Sequence, residues 1–164
     1  MSDRKKVPTA GVLVAALGLV AAGGSPAIAK GGEVGGSGNE YFLSDSFSAA
    51  SNVDFRYGRA GDQVYVGDWD GDGEDTLAIR RGAEFHLTNS LEGGSADRVV
   101  TYGRASDTVL VGDWNGNGTD TFAVRRGNEY HVKNSLTGGS ADRAFRYGRS
   151  PDTVLVGDWD GDDD

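Results

Sequence analysis

The sequence predicts an all-β protein built from four-stranded antiparallel units that repeat about every 45 residues. The first observation behind this is the repeat itself. Val66-Gly67-Asp68-Trp69-Asp70-Gly71-Asp72-Gly73 recurs as Val111-Gly112-Asp113-Trp114-Asn115-Gly116-Asn117-Gly118, and again from Val156 to Asp163. Tyr57-Gly58-Arg59, Tyr102-Gly103-Arg104 and Tyr147-Gly148-Arg149 keep the same 45-residue step, as do Arg80-Arg81-Gly82 and Arg125-Arg126-Gly127. The second observation is the local pattern within a unit. Thr76–Arg80 and Glu84–Thr88 alternate in the manner of strands. Arg98–Tyr102 and Thr108–Val111 are rich in β-branched and aromatic residues. Gly, Asp, Asn and Ser turns separate them. Four short strands in a unit of this length is the composition of a β-propeller blade.

Residues 1–29 read as a secretory signal peptide. Arg4, Lys5 and Lys6 precede an apolar run from about Ala10 to Ala22, and Ala27-Ile28-Ala29 supplies a small-x-small cleavage signal. The run is short of the about 20 apolar residues that span a bilayer, and an uncleaved membrane anchor is the alternative. Residues 30–39, half of them glycine, read as a flexible leader. The tandem β-repeat region is then 40–164. Within it Glu40–Asp54 resembles Glu84–Asp97 and Glu129–Asp142, one residue out of step, as divergent terminal repeats often are. This region amounts to about two and a half blades, the last interrupted inside its aspartate loop. A closed propeller typically takes 4–8 blades, so the expectation is an incomplete propeller. A homo-oligomer that completes the ring, an open stack and a truncated copy of a longer protein are the alternatives.

The net charge of −9 becomes about −11 once Asp3 and the three basic residues of the leader are removed. Such acidity argues against nucleic acid, whose phosphates are met by clustered Lys and Arg. It suits hard cations held by carboxylates. The chain has no cysteine, so an exported protein must hold together without disulfides, and a bound metal is one substitute.

Asp68, Asp70 and Asp72 place carboxylates at alternate positions before Gly73, a residue that permits a sharp turn. Calcium takes six to eight oxygens at roughly 2.3–2.6 Å, and a tight loop presents positions 1, 3 and 5 from one side. The carbonyl of Glu74, and a side chain from Asp75 or Thr76, are the candidates for the remaining ligands. The second loop offers Asp113, Asn115, Asn117, the carbonyl of Thr119, and Asp120 or Thr121. The third offers Asp158, Asp160 and Asp162. An EF-hand is excluded, because loop position 12 is Ile79 or Val124 where a bidentate Glu is needed. A nonapeptide calcium roll is excluded by the length of the repeat. The same Asp, Asn and Gly residues also build ordinary tight turns. With fewer carboxylates, the second site is expected to be the weaker of the two, and both to bind near the ~10⁻⁴–10⁻³ M of extracellular modules.

The run from Val66 through Ala78 resembles the FG-GAP/VCBS-type repeats, which are similar to the blades of the integrin α-subunit propeller and occur in secreted actinobacterial proteins. The resemblance covers roughly residues 40–164. It implies propeller blades, calcium held in a hairpin loop, and an extracellular adhesive or scaffold role. Two departures bear on the ligands. The family commonly has Asp at loop position 9, where this chain has Thr76 and Thr121; Asp75 and Asp120 sit at position 8.

His86 and His131 fall on different repeats, which favours strand positions over a shared zinc or catalytic site. Trp69, Trp114 and Trp159 are expected in the core, with a sugar-binding surface as the alternative. Arg59, Arg104 and Arg149, with Arg98 and Arg143, are expected to brace turns or adjacent units through carboxylates, with a surface that binds acidic wall polymer as the alternative. No Ser–His or Cys–His candidate stands outside the loops. The expected function is therefore non-enzymatic: a secreted calcium-binding module, extracellular or cell-wall associated, that binds a cell-surface polysaccharide or protein and has no membrane association once the leader is removed. The alternative is a truncated fragment of, or accessory module to, a cell-wall hydrolase.

Overall fold

The computed structural model describes residues 12–15, 31–34, 37–46 and 49–157, and every regular element among them is a strand. The strands are β1 Val12–Ala15, β2 Glu40–Ser44, β3 Val53–Arg56, β4 Gln63–Gly67, β5 Thr76–Arg81, β6 Glu84–Leu87, β7 Arg98–Thr101, β8 Thr108–Gly112, β9 Thr121–Arg126, β10 Glu129–Val132 and β11 Arg143–Arg146. Two antiparallel four-stranded sheets, β4-β5-β6-β7 and β8-β9-β10-β11, follow one another at the repeat spacing. The third sheet is β1-β2-β3, in which β2 and β3 occupy the positions of β6 and β7. The sheets do not close on themselves. Among the described residues no helix is long and apolar enough to cross a membrane.

The first four-stranded sheet is covered on both faces. From β5, Leu77 and Ile79 turn toward Tyr41, Leu43, Phe55 and Tyr57 of the sheet before it. Ala78, with Tyr65, Phe85 and Leu87, turns toward Val109, Val111, Phe122 and Val124 of the sheet after it. Phe85 and Phe122 stack across that boundary with centroids 4.1 Å apart. The alternation read in Thr76–Arg80 is therefore not apolar-in and polar-out. All five residues are buried, because the strand lies between two neighbouring sheets. The outer face of the second sheet, with Leu110, Tyr130 and Val132, is met by Val154 and Val156.

Arginines tie the units together, though different ones from those the register of the sequence suggested. Arg80 crosses to the next unit, where Nη1 donates to the Asp107 carbonyl at 2.9 Å and Nη2 to the Arg104 carbonyl at 2.6 Å. Arg125 repeats this with the carbonyls of Asp152 and Arg149. Arg81 and Arg126 instead grip Asp62 and Asp107 of their own units, each through two nitrogens at 2.7–2.9 Å. The same two carboxylates accept the backbone N–H of Arg59 and Arg104. Glycine is needed in these Tyr-Gly-Arg turns: Gly58 and Gly103 have φ of +70° and +69°, and a Cβ there would meet Ile79 or Val124 at 2.7–2.9 Å.

At the amino-terminal side, β1 lies inside the apolar run read as the leader and pairs in parallel with β2. The cleavage signal Ala27-Ile28-Ala29 lies outside the described residues. Gly31 bridges to Val111 on β8 and Val34 to Val64 on β4, so part of the Gly-rich leader runs across the edge strands of both four-stranded sheets.

The Asp107 carboxyl would be raised by burial, but the Arg126 guanidinium and the Arg104 N–H outweigh this and hold it below its ordinary value; Asp62 behaves alike. An unfolded Asp titrates near about 3.9, so the folded carboxylates stabilise the protein above that pH and the contribution is lost as pH falls through their lower values. Urea unfolding followed downward from pH 5 should show falling stability. Asp107→Asn should cost about 1–3 kcal/mol near neutrality and make the acid fall shallower. Equal acid slopes in both proteins would contradict the clamp.

Candidate metal centre

The first aspartate loop is a hairpin connection. Gly67 at the end of β4 is the register partner of Thr76 at the start of β5, so residues 68–75 form the turn between them. Asp68 organises it from inside. Its Oδ1 accepts the N–H groups of Gly71 and Asp72 at 2.7 and 3.2 Å, and its Oδ2 accepts that of Gly73 at 2.8 Å. Gly71 and Gly73 lie at φ +79° and +90°, where a side chain would be strained. Asp72 Oδ1 accepts the Glu74 N–H at 2.8 Å, while Asp70 is exposed.

This wrapping brings one carboxylate oxygen each of Asp68, Asp70 and Asp72 within 4.8 Å of one another. Two oxygens bound to one calcium at 2.3–2.6 Å stand at most about 5 Å apart, so the three suit a single ion. Three carboxylates this close repel one another, which a cation relieves. The carboxylates of Glu74 and Asp75 lie outside the cluster. Thr76 is buried as the first residue of β5.

The second loop repeats the scaffold with less charge. Asp113 accepts the N–H groups of Asn115 at 3.3 Å and Gly118 at 2.6 Å, and Asn117 Oδ1 accepts that of Thr119 at 2.9 Å. Here a carboxylate and two amides stand where the first loop has three carboxylates. Asp120, one of the two candidates for the last ligand of the second loop, also reaches the first loop. It is buried, its Oδ2 accepts the N–H of Asp68 at 2.8 Å, and its own N–H donates to the Asp68 carbonyl at 2.7 Å. A residue of the second loop thus holds the backbone of the first. Asp158, Asp160 and Asp162 lie outside the described residues, as does Trp159.

Trp69 is a core residue, its ring 5.1 Å from that of Phe122, and Trp114 packs beside Leu110 and Tyr130. His86 and His131 sit on separate sheets, 3.9 and 3.8 Å from Glu84 and Glu129. Sequence reasoning missed the carboxylates that cap turns. Asp97 and Asp142 accept the N–H groups of Asn89 and Asn134, and Asp152 accepts that of Arg149. The signal was present: an Asp follows each Tyr-Gly-Arg by three residues, and each Gly-Gly-Ser-Ala run is closed by one.

No family model, curated protein or solved structure matches the chain. The geometry of the loops therefore carries the chemical reading.

Asp68 and Asp70 separate the two roles of the loop. Asp68→Ala should cost about 1–3 kcal/mol without metal, because three backbone donors lose their acceptor. Asp70→Asn should leave metal-free stability within about 0.5 kcal/mol of wild type and weaken calcium binding in a titration. Unaltered binding by Asp70→Asn would remove that residue from the site.

Proposed function

We propose that the chain is an exported calcium-binding β-repeat module of the FG-GAP/VCBS type. On this reading the leader is cleaved after Ala29, the stacked sheets are propeller blades, and the surface serves binding or scaffolding at a cell wall or cell surface. The carrying observation is the gathering of the Asp68, Asp70 and Asp72 oxygens within 4.8 Å on a hairpin loop. Calcium, a hard cation satisfied by carboxylate and carbonyl oxygens, is the ion this set suits best. The 45-residue units folded as four-stranded sheets packed face to face support the blade assignment.

A binding role is favoured over catalysis by what the acids do. Asp62 and Asp107 hold arginines, Asp68 and Asp113 anchor loops, and Asp97 and Asp142 cap turns. A cleft of about 350 Å³ opens beside the first loop, where Asp70, Asn89, Asp97 and Arg98 offer hydrogen-bonding groups to a polar ligand such as a saccharide or peptide.

Thermal unfolding of the exported protein in calcium and in chelator tests the metal reading. At calcium one hundredfold above Kd, stabilisation should reach about 2.7 kcal/mol and vanish with chelator. A melting temperature indifferent to calcium would reduce the loops to ordinary turns. Peptidoglycan cleavage by the purified chain would overturn the non-enzymatic reading.

A further inference from the structure

The amino-terminal sheet has a strand that processing would remove. β1 pairs in parallel with β2, with Val12 opposite Tyr41, Leu13 opposite Phe42 and Val14 opposite Leu43. If the chain is cut after Ala29, as the proposed export requires, β1 leaves and β2 becomes an edge with unpaired backbone groups. Tyr41 and Leu43 of β2 belong to an apolar cluster, so the vacated position adjoins a buried face.

At the other end of the described residues lies a segment with the sequence of a strand but no sheet. Val154-Leu155-Val156-Gly157 has the sequence of β8 residues Val109-Leu110-Val111-Gly112, yet the segment belongs to no strand among the described residues. Leu155 is 73% exposed, whereas its equivalents Tyr65 and Leu110 are 1% and 6% exposed. The same end of the stack leaves Tyr147 74% exposed, against 3% and 4% for Tyr57 and Tyr102. The tripeptide Val154-Leu155-Val156 is identical to the Val12-Leu13-Val14 that β2 holds.

We propose that removal of the leader opens β2 to residues Val154–Gly157 of a second copy of this chain, which pair with it in parallel in the register of β1 and link processed copies head to tail. Val154 then stands opposite Tyr41, Leu155 opposite Phe42 and Val156 opposite Leu43. Paired residues of neighbouring strands share a face, so Val154 and Val156 turn to the apolar side of Tyr41 and Leu43. They exchange one apolar cluster for another, since each now packs partly against Leu110 and Tyr130. The net gain is the backbone ladder, which satisfies donors and acceptors on both strands. Before processing, β1 occupies the position and blocks the contact, so linkage is confined to the exported protein. The proposal rests on cleavage after Ala29.

The exported protein and the unprocessed full chain are to be compared by mass spectrometry and by light scattering over a concentration series. The expected result is loss of 1–29 from the exported protein, a mass for it that rises with concentration to at least two chains, and a monomeric full chain. Leu155→Pro removes a ladder donor at an exposed position and should hold the exported protein at one chain, while Leu155→Val should assemble as wild type. A synthetic peptide spanning Gly11–Ala15 should dissociate the assembly. An exported chain that retains its leader overturns both the export reading and this proposal. A processed chain that stays monomeric, or an assembly untouched by Leu155→Pro and by the peptide, overturns this proposal alone.

Discussion

The structure depends on one constraint: a four-stranded sheet of this chain has two apolar faces and covers neither by itself. In the first complete sheet, Leu77 and Ile79 on one side and Ala78, Phe85 and Leu87 on the other are all buried, each side against a different neighbour. Stability is therefore a property of the boundaries between units, as in other repeat architectures. The polar contacts sit at those boundaries for the same reason. Arg80 is buried, and the carbonyls of the next Tyr-Gly-Arg turn accept from its Nη1 and Nη2; half-buried Arg125 repeats the contact. The chain has no cysteine, so these contacts and the stacked aromatic rings join the units without disulfides.

The boundary also connects the loops. Asp120 belongs to the second unit by sequence and to the first loop by contact, exchanging two hydrogen bonds with the backbone of Asp68. Gly71 lies so close to Thr119 that a Cβ would stand 2.9 Å from its hydroxyl. The first loop is thus braced from within by Asp68 and from outside by the second unit. Such bracing pre-organises the oxygens, so less ordering would remain to be done by any cation that bound there.

Much of this was legible in the sequence because the information was periodic. Strands β5 through β8 fall within a residue of the segments picked out by β-branched content and turn residues, and β9 to β11 repeat them at 45 residues. The clustering of the three loop carboxylates was legible because it is local, set by residues two apart. What escaped was non-local. That Thr76–Arg80 is buried throughout, that Arg80 serves the following unit, and that Asp120 serves the preceding loop depend on contacts between residues 24 to 52 positions apart. No local pattern encodes those distances. Gly31 and Val34 were read from composition as leader, yet composition is silent on the edge strands they bridge. The indole and imidazole positions were easier, since identical register on successive units already pointed to packing.

The account stands most directly on a cation among Asp68, Asp70 and Asp72, and Trp69 provides an optical reporter within that run. Terbium, which takes the same hard oxygen ligands as calcium, is to be titrated into the protein with excitation of the indoles. The account predicts sensitised terbium emission that saturates, is displaced by calcium, and is strongly reduced in Asp70→Asn. Emission that is absent, or that is indifferent to calcium and to Asp70→Asn, would contradict it.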